Sequence, residues 1–200
     1  APSVTIVRPQ NITYILTPIY FNISLNENGT AWYSLNNGLN NYTMTSNATG
    51  TMWNATNSSI ADGSYVFYAY ANDTFGNTNY TTNITFSVDT VSPLVTIINP
   101  LAITYNISSI TFNVTINKEG LMNFSIDGGV TNYSMTANVS NTGFNYTLSS
   151  ISEGSKTFNA YGFDNVGNNN LTVSRTFGVD TINPLISLIY PTNTSYTSVQ

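Results

Sequence analysis

The sequence predicts an all-β fold, antiparallel β-sandwiches in tandem as a linear array, and three observations carry that prediction. The chain repeats itself: Pro2, Pro93 and Pro184 stand 91 residues apart, as do Pro9, Pro100 and Pro191. A fixed period of this kind defines the architectural unit. Within each unit apolar and polar residues alternate, as in Ile19, Phe21, Ile23 and Leu25 against Tyr20, Asn22 and Ser24. A period of two marks a strand buried on one face. Turn residues recur about every 8–12 positions, at Asn28-Gly29, Asn37-Gly38, Asp62-Gly63 and Gly76-Asn77, and no stretch carries helical periodicity.

Aligned on that period, the units need no gap. Gly29 falls on Gly120, Ser34 to Gly38 on Ser125 to Gly129, Asn41 to Thr45 on Asn132 to Thr136, and Trp53 on Phe144. Asp73-Thr-Phe-Gly-Asn77 returns as Asp164-Asn-Val-Gly-Asn168. Loop lengths are therefore held as firmly as strands. Two domains result, residues 1–90 and 91–181, and residues 182–200 open a third unit with a first strand from Leu185 to Tyr190. That strand has two fates. Continuation into a third domain is favoured, because Pro191 repeats the place of Pro9 and Pro100; the alternative is donation to another subunit by strand addition.

In the first unit the alternation places strands at about residues 3–8, 19–26, 30–36, 41–46, 51–56, 64–72 and 80–88. The first ends at Pro9, which has no N–H to continue a ladder. The second is the alternating run quoted above. The third follows Asn28-Gly29 and the fourth follows Asn37-Gly38, dipeptides that favour type I′ turns because both central residues need positive φ. The fifth carries Trp53. The sixth ends at Asp73, whose side chain is suited to accept N–H bonds from the loop two residues on. The seventh holds Ile84, Phe86 and Val88 and ends at Asp89. Only Asp89 to Pro93 separates it from the next unit, and Pro93 restricts both itself and Ser92. The seam should be stiff, with a rise on the order of 40 Å per domain.

Charge is sparse, at 6% of residues with a net charge of −5, against about 25% in ordinary domains. The four basic residues, Arg8, Lys118, Lys156 and Arg175, are scattered, which argues against nucleic acid or anionic membrane as partners. Cysteine and histidine are absent, removing disulfides, thiolate metal sites and the commonest general base. No run of 18 apolar residues occurs, so this segment offers no membrane span. Solubility falls to 31 Asn and 52 Ser and Thr in place of charge.

Gly63-Ser-Tyr65 ahead of a strand, Asp73 to Asn77 after it, and Phe86-Ser-Val-Asp89 ahead of Pro93 resemble the Ig-like tandem repeats of bacterial and archaeal surface proteins, across both units. The resemblance implies Ig-like sandwiches serving as spacers in adhesins, surface-layer proteins, pilus-like fibres and secreted enzymes. Two departures stand out. Lys156 replaces Tyr65 in the second unit, where a tyrosine corner is expected, and Asn-x-Ser/Thr sequons are far more numerous.

Nine acids are present: Glu27, Asp62, Asp73, Asp89, Glu119, Asp127, Glu153, Asp164 and Asp180. No two form a recognisable catalytic pair, so no catalytic residue is expected and the chain reads as non-enzymatic. Asp73 and Asp164 read as turn acids. Asp89 and Asp180, in the hinges, are the candidates for a structural Ca²⁺. Such an ion takes six to eight oxygens and each seam offers one or two acids, so no cofactor is expected. The 14 tyrosines read as sheet formers before sugar-stacking groups, and Trp32, aligned with Asn123, should face outward.

The sequons are the candidate modification sites: Asn11, Asn22, Asn28, Asn41, Asn47, Asn54, Asn57, Asn72, Asn79, Asn83, Asn106, Asn113, Asn123, Asn132, Asn138, Asn145, Asn170 and Asn193. Composition alone predicts about 8. Strand phase aims Asn22, Asn83, Asn113 and Asn145 at water, and Asn41 and Asn132 likewise, because the residue after each belongs to a core face. The expected function is a structural module of a heavily N-glycosylated extracellular filament, sheath or cell-surface stalk, archaeal because comparable animal domains usually carry cysteines. Its partners would be neighbouring repeats or identical subunits and covalent N-glycans. The alternatives are an adhesin or ligand-binding module and a spacer in a secreted hydrolase.

Overall fold

Every long alternating segment of the two units forms a strand in the computed structural model, which describes residues 1–81 and 83–190 and holds no helix among them. The first unit contains β1 (Val4–Arg8), β2 (Thr13–Tyr14), β3 (Ile19–Leu25), β4 (Gly29–Ser34), β5 (Tyr42–Thr43), β6 (Thr45–Ser46), β7 (Met52–Asn57), β8 (Gly63–Asp73), β9 (Thr78–Tyr80) and β10 (Ile84–Val88). The second repeats them as β11 (Val95–Asn99), β12 (Thr104–Tyr105), β13 (Ile110–Ile116), β14 (Gly120–Ser125), β15 (Tyr133–Ser134), β16 (Thr136–Ala137), β17 (Gly143–Leu148), β18 (Gly154–Asp164) and β19 (Asn169–Val179). In each unit one sheet runs β1-β3-β7-β6 or β11-β13-β17-β16. The other runs β2-β10-β8-β4-β5, with β9 beside β8, or β12-β19-β18-β14-β15.

The inward residues of both sheets meet in one core per unit. Phe21 lies 5.1 Å from Phe67 and 4.7 Å from Tyr33; Phe112 lies 4.8 Å from Phe158 and 4.9 Å from Phe124. Aromatic pairs at these spacings add to the burial of their area.

Four details differ from the sequence expectation. The opening strand leaves its sheet after Pro9, and β2 pairs in parallel with β10 through Thr13↔Ser87 and Tyr14↔Val88. Two residues are too few to show alternation. The expected strand 41–46 is two pieces, β5 on β4 and β6 on β7. Met44 is the pivot, buried at 3% with its N–H on Ala31 O at 3.0 Å. Asn28-Gly29 is not a type I′ turn: only Asn37 and Gly38, and their counterparts Gly128 and Gly129, have positive φ at both positions. Finally, Leu185 to Tyr190 form no ladder with any of the described residues, and Leu185 is 97% exposed.

The tyrosine corner survives the substitution at Lys156. Tyr65 OH donates to Ala61 O at 2.8 Å. Lys156 Nζ reaches the equivalent residue, donating to Ser152 Oγ at 2.9 Å. Different chemistry ties down the same loop.

The turn after β4 is likewise built twice. Ser34 Oγ donates to Asn36 Oδ1, which also accepts from Asn40 N–H; Ser125 Oγ donates to Asp127 Oδ1, which also accepts from Thr131 N–H. The Ser125 hydroxyl and the Thr131 N–H hold the exposed Asp127 carboxyl down at about 2. Its folded value lies below its unfolded value of 3.8. The resulting stabilisation is therefore present above about 3.8 and lost as pH falls toward about 2. In an NMR acid titration Gly129 and Thr131 amides should move with a midpoint near 2, while the Asn36 turn, which has no proton to bind, stays fixed. An Asp127 midpoint at the ordinary carboxylate value would refute this.

Candidate functional site

The region where the units join is a dense network of hydrogen bonds and ion pairs. Lys118, in the β13–β14 loop, donates from Nζ to both carboxylate oxygens of Asp89 at 2.7 and 3.0 Å, to Val91 O at 2.5 Å and to Asp164 Oδ2 at 3.2 Å. Asn168 Nδ2 donates to Asp89 O at 2.9 Å and to Asp164 Oδ2 at 3.0 Å. Asn170 Nδ2 donates to Pro93 O, and Leu94 N–H donates to Asn117 Oδ1. The five-residue hinge is thereby stitched to the second unit through Asp89, Val91 and Pro93. A Cβ added at Gly167 would stand 3.9 Å from Ile15 Cδ1, so the first unit itself reaches the β18–β19 turn.

Burial alone would lower the Lys118 pKa, but hydrogen bonds and charge attraction from Asp89 and Asp164 outweigh it and raise it. Burial pushes the Asp164 carboxyl up; Asn168, Lys118 and the N–H groups of Val166 and Asn168 outweigh that and hold it low. Asp164 Oδ1 accepts from Val166 N–H at 3.1 Å and Asp73 Oδ1 from Phe75 N–H at 2.9 Å, the turn role expected for both acids.

The calcium candidates separate. Asp89 is committed to an ammonium, and Asp180 accepts from Ile182 N–H at 3.1 Å. The acids nearest the hinges cap them: Asp62 accepts from Thr90, and Glu153 from Thr181. Among the described residues no three acids cluster as metal ligands.

Of the sequon asparagines, Asn193 lies outside the described residues; none of the other seventeen is buried. They occupy both outer faces. On the first sheet Asn22 stands opposite Asn54, with Nδ2 donating to Oδ1 at 2.8 Å, and Asn113 stands opposite Asn145. On the second are Asn72, Asn79, Asn123 and Asn170, with Asn83 just ahead of β10. Asn41 and Asn132 sit in turns, not strands, so the phase rule does not govern them, yet both are exposed. Several sequons serve the fold directly: Asn79 and Asn170 use Nδ2, the atom a glycan would take, to hold Pro2 O and Pro93 O across the unit, and Asn41 and Asn132 use it on Gly38 O and Gly129 O in their own turns.

Sequence reasoning missed an aromatic row. Trp32 stands opposite Tyr70, and Tyr70 opposite Tyr80, with the Trp32 and Tyr70 rings 6.1 Å apart and 10° from parallel. Cross-strand register, not spacing along the chain, assembles it. In the second unit Asn123 replaces the tryptophan and a cleft of about 430 Å³ opens beside Tyr161 and Leu171.

Two sheets, antiparallel except where β2 meets β10 and β12 meets β19, with an opening strand shared between them, twice over, define the chain as a tandem of Ig-like domains. Residues 6–90 match the family model described as a bacterial Ig-like domain. Among solved structures the chain is similar to the titin I-band fragment I67–I69, at 14% identity and a TM-score of 0.53, covering 90% of this chain and 65% of that one. It is also similar to fibronectin(III)-like modules of Clostridium thermocellum CbhA, at 16% identity and a TM-score of 0.45, covering 88% of this chain and 94% of that one. No curated protein matches the sequence. No helix among the described residues is long and apolar enough to cross a membrane.

Proposed function

We propose that the chain is a non-enzymatic structural module of an extracellular filament, sheath or cell-surface stalk, N-glycosylated and of archaeal type, in which Ig-like domains span distance. The observation that carries this reading is the distribution of sequons: the seventeen described sit on both outer faces and in the turns, none buried, on a chain with 6% charge. Glycans there would supply the solubility that charge does not, and would block lateral pairing of edge strands. Cross-strand neighbours stand about 4.5–5.5 Å apart, so Asn22 and Asn54 share room for one glycan, as do Asn113 and Asn145.

Glycopeptide mass spectrometry of native material should find one glycan per pair, Asn83 occupied, and Asn79 and Asn170 bare. If both pairs and Asn83 are unmodified, the coat is absent and the outer faces are simply polar sheet. Electron microscopy of the same material should show fibres beaded at the domain spacing. A second reading, a ligand-binding module, draws support from the Trp32–Tyr70–Tyr80 row. It predicts that Trp32→Ala abolishes retention on polysaccharide while leaving the fold intact.

A further inference from the structure

We infer that the loop before the fourth strand of each unit reads the charge of the hinge that precedes it, and that the end face of the first unit takes an Ig-like repeat whose hinge carries a basic residue where this chain has Asp89. This rests on the array reading for its partner, and the seam itself carries it. In the seam Lys118 neutralises Asp89 and the buried Asp164 together, with N–O distances of 2.7 and 3.2 Å.

The same face on the first unit keeps nearly every part. Asn26, Asp73, Gly76, Asn77 and Asn79 stand at the places of Asn117, Asp164, Gly167, Asn168 and Asn170. They already work alike: Asn26 Oδ1 accepts from Ser3 N–H at 2.6 Å as Asn117 does from Leu94 at 2.7 Å. Asn77 Nδ2 donates to Asp73 Oδ2 at 2.7 Å as Asn168 does to Asp164. The charges differ, with Glu27 at the place of Lys118 and Asn28 at the place of Glu119.

An acidic hinge docking there would bring a third carboxylate to Asp73 and Glu27, where no lysine takes the place of Lys118 and the Ala1 terminal ammonium, 3.8 Å from Asp73 Oδ2, reaches Asp73 alone. Like charges this close repel, and more strongly beside a protein surface than in bulk water. A lysine or arginine hinge would meet two carboxylates, the arrangement of Lys118 with its partners reversed in direction. A second feature marks the face as a docking surface. Phe75, at the tip of the β8–β9 turn, is 90% exposed, whereas its counterpart Val166, beside Asp89 and Lys118, is 39% exposed. An apolar tip is left over where the seam half-covers one.

The consequence is a fixed order of repeats. The hinge at Asp180 carries the wrong charge for the face at Glu27, so two copies of this chain do not join end to end through them.

Two experiments on the intact chain test this. In the first, ¹⁵N-labelled protein is titrated with the peptide of residues 87–93 and with the same peptide bearing Lys for Asp. The lysine peptide should shift the amides of Glu27, Phe75, Gly76 and Asn77, with a preference of about tenfold or more over the acidic one. Glu27→Lys should invert the preference. In the second, Lys118→Glu should release the seam, so that the two domains align with separate tensors in residual dipolar couplings; adding Asp89→Lys should restore one tensor. Lys118→Gln, which adds no new charge, should loosen the seam as well and guards against misfolding of the reversed variant. Equal response to both peptides, response to neither, or a seam unmoved by both Lys118 variants overturns the inference. Microscopy of native material judges the array separately: absent fibres beside a charge-selective seam would remove the array reading alone.

Discussion

Phe112→Ala is expected to unfold the second domain at a temperature well below the first. Phe112 is fully buried and sits at the centre of its core, in ring contact with Phe124, Phe158 and Phe177 at 4.9, 4.8 and 5.8 Å. It is on the middle of β13, which pairs with β11 on one side and β17 on the other, so the sheet cannot slide in to fill the void. Truncating a buried phenylalanine costs about 3–5 kcal/mol, the transfer of the ring plus the cavity left behind. Domains of this size hold about 5–15 kcal/mol in total, so the loss takes about a fifth or more of it.

The two cores share no residue: Phe21 and its partners form one cluster, Phe112 and its partners the other. Calorimetry should therefore show one transition move and the other remain, with Phe21→Ala producing the mirror result. A shift smaller than about 1 kcal/mol, or both transitions moving together, would show that the cores are coupled through the seam far more strongly than their separate packing implies.

The separation of the cores was already legible in the repeat, and so were the long strands, because alternation over five to eleven residues reports burial directly. What escaped was set by neighbours in space. β2 is two residues long and its place is decided by β10. Met44 splits one expected strand because its side chain fills a gap between sheets, which no local pattern announces. The turn role of Asp73 and Asp164 was legible, since a short acid before Gly-Asn bonds its own loop. Lys118 was read only as one of four scattered cations; its role appears when Asp89, 29 residues earlier, and Asp164, 46 residues later, are brought against it. Changes of charge at aligned positions, Glu27 against Lys118 and Asn28 against Glu119, marked this loop in the sequence as different between units. Lys156 shows the opposite case: a substitution that looked disruptive keeps its function by reaching the same loop.

Gly120→Ala is expected to be nearly as damaging as the loss of a core ring, although it adds a single methyl group. Glycine was visible at this place in both units, as Gly29 and Gly120, and a hairpin turn was the expected reason. The φ of neither lies in the left-handed region; the reason is space. A Cβ on Gly120 would stand 1.9 Å from Phe163 O, and one on Gly29 would stand 1.9 Å from Asn72 O. Both obstacles are backbone, held in the β14–β18 and β4–β8 ladders, so no rotamer change relieves the clash. β14 must move off β18 at the Gly120↔Asp164 pair. Overpacking in a well-packed site costs about 1–3 kcal/mol and more where the backbone has to shift. The displacement falls beside Asp164, the carboxylate that Lys118 holds, so the seam should loosen together with the fold. A matched control is Gly76→Ala, where nothing lies within 4 Å of the added Cβ and only the positive φ of 83° opposes it; its cost should stay near 1 kcal/mol. Denaturant unfolding should place Gly120→Ala at least about 2 kcal/mol below wild type for the second domain, with amide shifts concentrated from Asp164 to Asn168. A change within about 0.5 kcal/mol, the range of an ordinary surface substitution, would mean that the strands part there at little cost and that close approach is not why glycine occupies both positions.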